Sequence, residues 1–71
     1  MNKIEIKEFI IEYLENFDGS LCTTDDVWTE IVNKYGNSDL DRLYDLYTEC
    51  TEELESEGEI YTDIITEIGL N

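Results

Sequence analysis

DLYTECTEELESEGEIYTD, residues 45–63, combines a helical apolar pattern with a dense run of acids. Eight of its residues are Asp or Glu, and none is Lys, Arg or His. Within it Tyr47, Cys50 and Leu54 recur at spacings of three and four, which gathers them on one face of a helix ending near Gly58. The stretch therefore predicts a helix with one face packed against a core and with carboxylates on the opposite face.

Apolar stripes predict two further helices before this one. The first covers about residues 3–17, with a stripe of Ile6, Phe9, Ile10, Tyr13, Leu14 and Phe17. The second opens at Thr23, which forms a capping-box pattern with Asp26, and runs to Gly36. Its stripe is Val27, Trp28, Ile31, Val32 and Tyr35.

The third helix is predicted to open at Ser38, which forms a second capping pattern with Asp41. Its inward residues are predicted to be Leu40, Leu43, Tyr44, Tyr47, Cys50 and Leu54. The short surface pairs Glu30 with Lys34, and Arg42 with Asp39 or Asp45, are expected to be ordinary ion pairs.

The tail EIYTDIITEI, residues 59–68, fits both a helix and a strand, and its β-branched residues favour a strand. A short extended Leu21-Cys22 is expected to pair with it. Because residues 59–68 contain no Gly, Asn or Pro, a second strand after a turn is not expected. The predicted fold is mainly α, a small α+β domain of three helices with a short C-terminal strand. The alternative is an all-α bundle with a fourth C-terminal helix.

The order helix, short strand, helix, turn, longer helix and strand resembles the winged helix-turn-helix family over nearly the whole chain. LYTECTEELESEGEIY, residues 46–61, is similar to its recognition helix running into the wing, and the acidic winged-helix domain of RNA polymerase delta subunits has a similar layout. The third helix departs from the family at Asp41, Asp45, Glu49 and Glu52, where a reader of the DNA groove carries Arg, Lys, Asn or Gln.

Acids are predicted to form an ordered surface on the third helix. Helical spacing puts Asp41, Asp45, Glu49, Glu52 and Glu55 in one outward stripe, to which Glu53 is adjacent. The row of acids continues at Glu57, next to Gly58, and beyond that glycine at Glu59, Asp63 and Glu67. Like charges three and four residues apart cost about 1 to 2.5 kcal/mol in total before salt screening. We therefore interpret the stripe as an interaction surface, against the alternative of a merely solvated face.

The first helix repeats the arrangement with Glu5, Glu8, Glu12 and Glu15. Ile4 and Ile11 fall beside that stripe, where either the tail covers them or they contact a partner protein. Both interpretations stay open at this point.

Composition excludes several classes of function. With 71 residues and a formal net charge of -15, the chain is one small domain that repels nucleic acid and anionic membranes. It has no histidine, so nucleophile pairs and zinc sites are not expected, and we predict no enzyme activity, no metal and no cofactor. Cys22 and Cys50 are expected to be reduced, buried residues of a cytoplasmic protein.

The expected function is therefore inhibition or modulation of a nucleic-acid-binding protein. In size and charge the chain resembles small acidic phage proteins that mimic DNA and inhibit restriction enzymes, CRISPR nucleases, repair glycosylases or transcription proteins. The expected partner is a basic protein such as a nuclease, a polymerase or a repair factor, and a homodimer stays open. The alternatives are an acidic winged-helix accessory subunit that docks through apolar surface, and an acid-rich domain of a salt-adapted organism without mimicry.

Overall fold

Three helices and a small antiparallel sheet make up the fold, which was obtained as a computed structural model. The structure describes residues 2–17, 22–36, 39–62 and 67–71. Its elements are α1 (Lys3–Asn16), α2 (Thr24–Tyr35), α3 (Leu40–Ser56), β1 (Ile60–Thr62) and β2 (Ile68–Leu70). The prediction of a mainly helical, small α+β domain is confirmed. None of the described helices is long and apolar enough to span a membrane.

Side-chain caps define where each helix begins. The Asn2 side chain accepts from the backbone N–H of Glu5, and Thr23 and Asp26 form the predicted capping box. The cap of α3 is Asp39, whose side chain accepts from the N–H of Arg42, so the predicted cap at Ser38 is wrong. Asp and Ser are both good caps, and spacing alone did not separate two adjacent candidates.

The core forms where the three helical stripes meet the sheet. Its buried residues are Ile6, Ile10, Leu14, Cys22, Val27, Ile31, Leu43, Tyr47, Cys50, Leu54, Ile60 and Ile68. Two predicted core positions are wrong, since Leu40 is 47% exposed and Tyr44 is 54% exposed. Leu40 is the first residue of α3, and the Tyr44 ring lies at the edge of the stripe against Trp28, with 5.1 Å between ring centroids.

The C-terminal segment forms two strands and not the single strand that the sequence predicted. Ile60 pairs with Leu70 and Thr62 with Ile68 in antiparallel register. Described residues 60–62 and 68–70 are thus not part of a fourth helix, while residues 63–66, including Ile64 and Ile65, lie outside the described residues. The expected pairing with the segment before α2 is present as a bridge between Thr23 and Glu67. The N–H of Ile68 donates to the Cys22 carbonyl at 3.0 Å.

Gly58 turns the chain from α3 into β1. Its N–H donates to the Glu55 carbonyl, and the N–H of Glu59 donates to the Leu54 carbonyl, which is the Schellman pattern at a helix end. Gly58 has φ of 79°, a left-handed conformation that glycine adopts without steric cost. The Asn71 amide donates to the carbonyls of Gly58 and Ile60, so the turn and both strands are bonded together.

Candidate acidic interaction surface

Two lysines of α1 bind three glutamates along one side of α3. Lys3 Nζ lies 3.1 Å from Glu49 Oε2 and 2.7 Å from Glu53 Oε2. Lys7 Nζ lies 2.8 Å from Glu53 Oε1 and 3.4 Å from Glu57 Oε2. The charges alternate along the two helices, and we call these five residues the lysine ladder. The acids of residues 45–63 are therefore partly neutralised, although that stretch contains no basic residue.

Glu53 is the centre of the ladder, because each of its oxygens binds a different lysine. The bond from Lys3, followed by that from Lys7, lowers the pKa of the Glu53 carboxyl to about 2. Glu53 in turn raises the pKa of both lysine ammonium groups. Glu53 and both lysines therefore carry full charge at neutral pH, and the ladder joins α1 to α3 near the surface.

Buried groups hold α3 in place below the ladder. The Cys50 thiol donates to the Lys3 carbonyl at 3.5 Å, and the Tyr47 hydroxyl donates to the Thr24 carbonyl at 3.1 Å. These contacts connect one face of α3 to α1 and to α2. The face opposite to them is consequently presented in one fixed orientation.

Three acids of α3 project from that opposite face, and we call them the outward row: Asp41, Asp45 and Glu52. All three are exposed, and none forms an ion pair within the described part of the chain. Helix geometry places Asp45 about 6 Å along the axis from Asp41, and Glu52 about 10.5 Å further. The other two residues of the predicted stripe are also exposed but have partners within the protein, since Glu49 binds Lys3 and Glu55 accepts a hydrogen bond from the Thr62 hydroxyl.

The acids of α1 border a groove between α1 and the end of α3. Glu8, Glu12 and Glu15 lie on one side, and Glu57 and Glu59 lie on the other. The half-buried Ile11 and the buried Leu54 line the groove between them, and its volume is about 550 Å³. Ile11 packs against the core, whereas Ile4 is 67% exposed, so the two isoleucines have different environments. The predicted site residue Asp63 lies outside the described residues.

A second groove, between α1 and α2, was missed from the sequence. Its rings are Phe9, Tyr13 and Tyr35, and its charged lining includes Glu5, Glu8, Glu12, Glu30 and Lys34. The predicted pair of Lys34 with Glu30 is not present, because Lys34 Nζ lies over two rings, 5.2 Å from the Phe9 centroid and 5.4 Å from the Tyr35 centroid. The recurrence of aromatics in α1 was a signal, but it was assigned entirely to the core.

The described residues include two buried cysteines and no group of side chains arranged as metal ligands. Cys22 and Cys50 are buried free thiols, as predicted, and burial raises the pKa of both. Such thiols are protonated and weakly nucleophilic at neutral pH. Within residues 2–17, 22–36, 39–62 and 67–71, no group of three or more potential ligands is arranged to hold a metal ion.

Comparison with known proteins identifies no relative. No protein-family model matches the chain, and no curated protein or solved structure matches it either.

Proposed function

We propose that this protein is an acidic inhibitor or modulator that occupies the cationic site of a nucleic-acid-binding protein in place of the nucleic acid. The observation that carries the proposal is the outward row on α3. Its three carboxylates stand on a helix whose other faces are fixed by the core and the lysine ladder. Preorganised charges of one sign attract a complementary site without the cost of ordering a flexible acidic tail.

The distribution of cations supports the same proposal. The chain has four basic residues, and two of them, Lys3 and Lys7, are bound in the ladder. The acids of the outward row repel one another, which costs about 0.2 to 0.5 kcal/mol for each pair of like charges at neighbouring helical positions. A lysine in place of Asp45 would relieve this repulsion. Within the described residues, neither lysine of the ladder is bound to an acid of the outward row. The acids of the outward row are exposed and aligned, and they therefore fit an interaction surface for a basic partner.

Spacing adds a geometric argument. Carboxylates separated by one or two helical turns are on the scale of the phosphates along a nucleic-acid strand. A groove that binds duplex DNA through Lys and Arg is attracted to such a row and releases anions of its own when it binds the row, whereas the ions released on DNA binding come from the DNA. The partner class is a nuclease, restriction or CRISPR effector, polymerase or repair protein.

The test uses two variants that each lose three negative charges. The outward variant Asp41→Asn/Asp45→Asn/Glu52→Gln is compared with Glu15→Gln/Asp25→Asn/Glu59→Gln, which changes three exposed acids outside the outward row, the ladder and the α1–α2 groove, and both are immobilised and exposed to host lysate at low and high salt. We expect the wild type to retain a nucleic-acid-binding protein that half-molar salt releases and that added DNA displaces. The outward variant should bind that protein on the order of 10- to 100-fold more weakly, since each charged contact contributes several-fold in affinity.

The matched variant separates mimicry from general acidity. If the outward and matched variants lose affinity equally, total charge is responsible, as expected of an acid-rich protein from a salt-adapted organism. If neither variant loses affinity, or if DNA does not compete, the proposal fails. Circular dichroism should confirm that both variants keep the wild-type helical content.

A second candidate function is an accessory subunit with a winged-helix domain. In its favour are the three helices, the Thr23–Glu67 bridge and the β1–β2 pair after α3, which such a layout would require. Apolar surface for docking is present at Ile4, which is 67% exposed. Partner binding that survives half-molar salt but is lost in Ile4→Glu would favour this function over mimicry.

A further inference from the structure

The groove between α1 and α2 joins aromatic rings to carboxylates. Phe9 stacks on Tyr13 with a 12° angle between the rings, and the edge of Tyr35 meets Phe9 at a centroid distance of 5.9 Å. All three side chains are only partly buried, so they cover the core while keeping a surface open to solvent. The groove has a volume of about 500 Å³.

Lys34 shows that these rings accept a cation. Its ammonium lies within 5.4 Å of two ring centroids, and it forms no ion pair within the described part of the chain. This is the distance at which a cation is attracted to the face of an aromatic ring. The protein therefore contains its own example of the kind of group that the groove holds.

Charge in the groove remains negative with Lys34 in place. Glu8, Glu12 and Glu30 line it together with that one lysine. A second cation would therefore be attracted to the groove. Among protein side chains, arginine matches this combination of rings and carboxylates best. A guanidinium group stacks flat on an aromatic ring and binds a carboxylate through two parallel hydrogen bonds, whereas an ammonium group does neither.

We propose that the α1–α2 groove binds an arginine side chain of a partner protein. This inference concerns a different surface from the outward row, and it rests on the proposed function only in taking the partner to be basic. Arginine would stack on the ring of Phe9 or Tyr35 and bond to Glu12 or Glu30. Lys34 would then be a competitor that occupies part of the groove in the unbound protein.

The test is an NMR titration of the ¹⁵N-labelled protein with N-acetyl-arginine amide, with N-acetyl-lysine amide as the matched probe. We expect chemical-shift changes centred on Phe9, Tyr13 and Tyr35, and an affinity for the arginine derivative about 3-fold or more above that for the lysine derivative. Lys34→Gln should tighten arginine binding by about 2- to 5-fold, because it removes the competing cation.

Variants at exposed carboxylates keep the test independent of folding. Glu12→Gln/Glu30→Gln should weaken arginine binding by about 3- to 10-fold, and Asp45→Asn/Glu52→Gln, with the same loss of charge, should leave it within about 2-fold of the wild type. Equal affinities for both probes, or shift changes spread evenly over α1 and α3, would overturn the inference. Neither outcome depends on capturing a partner, so the groove and the proposed mimicry fail separately.

Discussion

The two sides of α3 use the same kind of residue for different purposes. On the side that faces α1, Glu49, Glu53 and Glu57 bind lysines at distances between 2.7 and 3.4 Å. On the side that faces solvent, the outward row has no such partners within the described part of the chain. Glu52 and Glu53 are neighbours in sequence, about 100° apart around the helix, and of the two only Glu53 binds lysine within the described residues. Position on the helix, and not residue type, therefore decides whether a carboxylate stabilises the fold or stays available to a partner.

The contrast bears on how the acidity of the whole chain is understood. If all acids were solvated alike, the net charge of -15 would describe the protein adequately. On α3 the lysine ladder divides the acids into those that bind a lysine and those that do not, and three of the latter form the outward row. The division predicts that substitutions of chemically identical residues will have different effects.

The largest effect on stability is expected from a substitution in the core, because the core face holds all of α3 in place. Leu43 is 1% exposed and Leu40 is 47% exposed on the same helix. Leu43→Ala should reduce the free energy of unfolding by about 2 to 5 kcal/mol through the transfer and cavity terms, a large fraction of the total for this length. Leu40→Ala should change it by less than about 0.5 kcal/mol. Chemical denaturation checks both values, and equal losses would contradict the assignment of the core face.

A smaller effect is expected at the turn after α3. A Cβ at Gly58 would meet no atom within 4 Å, so substitution costs only the left-handed backbone conformation. Gly58→Ala should therefore destabilise the protein by about 1 to 2 kcal/mol. Gly58→Asn should cost less, because Asn tolerates this conformation. If alanine and asparagine prove equal in thermal denaturation, the turn is not held as described.

Acid titration should separate the ladder from the other carboxylates. The folded-state pKa of Glu53, about 2, lies below its ordinary value of 4.5. A lowered pKa gives stability that is fully present above the ordinary value and is lost as the pH falls through the folded one. The stability difference between wild type and Glu53→Gln should thus be constant above about pH 5 and shrink between pH 4.5 and 2. A difference that does not change with pH would contradict the ladder.

Local signals predicted the helices well. Apolar spacing and the capping box at Thr23 depend on residues within a few positions of each other, and α2 and its cap follow them directly. The same spacing wrongly placed Tyr44 in the core. A residue at the edge of an apolar stripe is buried only as far as its neighbours cover it, and Trp28 contacts the Tyr44 ring but leaves it exposed.

The ladder, the second strand and the aromatic groove depend on contacts between distant residues. Lys3 and Glu53 are 50 positions apart, and nothing local links them. In retrospect the four-residue spacing of Lys3 and Lys7 matches that of Glu49, Glu53 and Glu57, but this match has meaning only once α1 and α3 are known to pack together. Likewise the N–H of Ile68 in β2 donates to the Cys22 carbonyl, and the Asn71 amide donates to the Ile60 carbonyl.

The most direct test of the division compares two single substitutions at adjacent residues. Glu52→Gln and Glu53→Gln are chemically identical, each removes one negative charge, and both can be followed by thermal unfolding at neutral pH and low ionic strength. We expect Glu53→Gln to lower the unfolding midpoint, because Lys3 and Lys7 lose their shared partner. Glu52→Gln should leave it unchanged or raise it slightly, because only repulsion is removed. If both substitutions shift the midpoint by the same amount in the same direction, α3 does not carry two kinds of carboxylate.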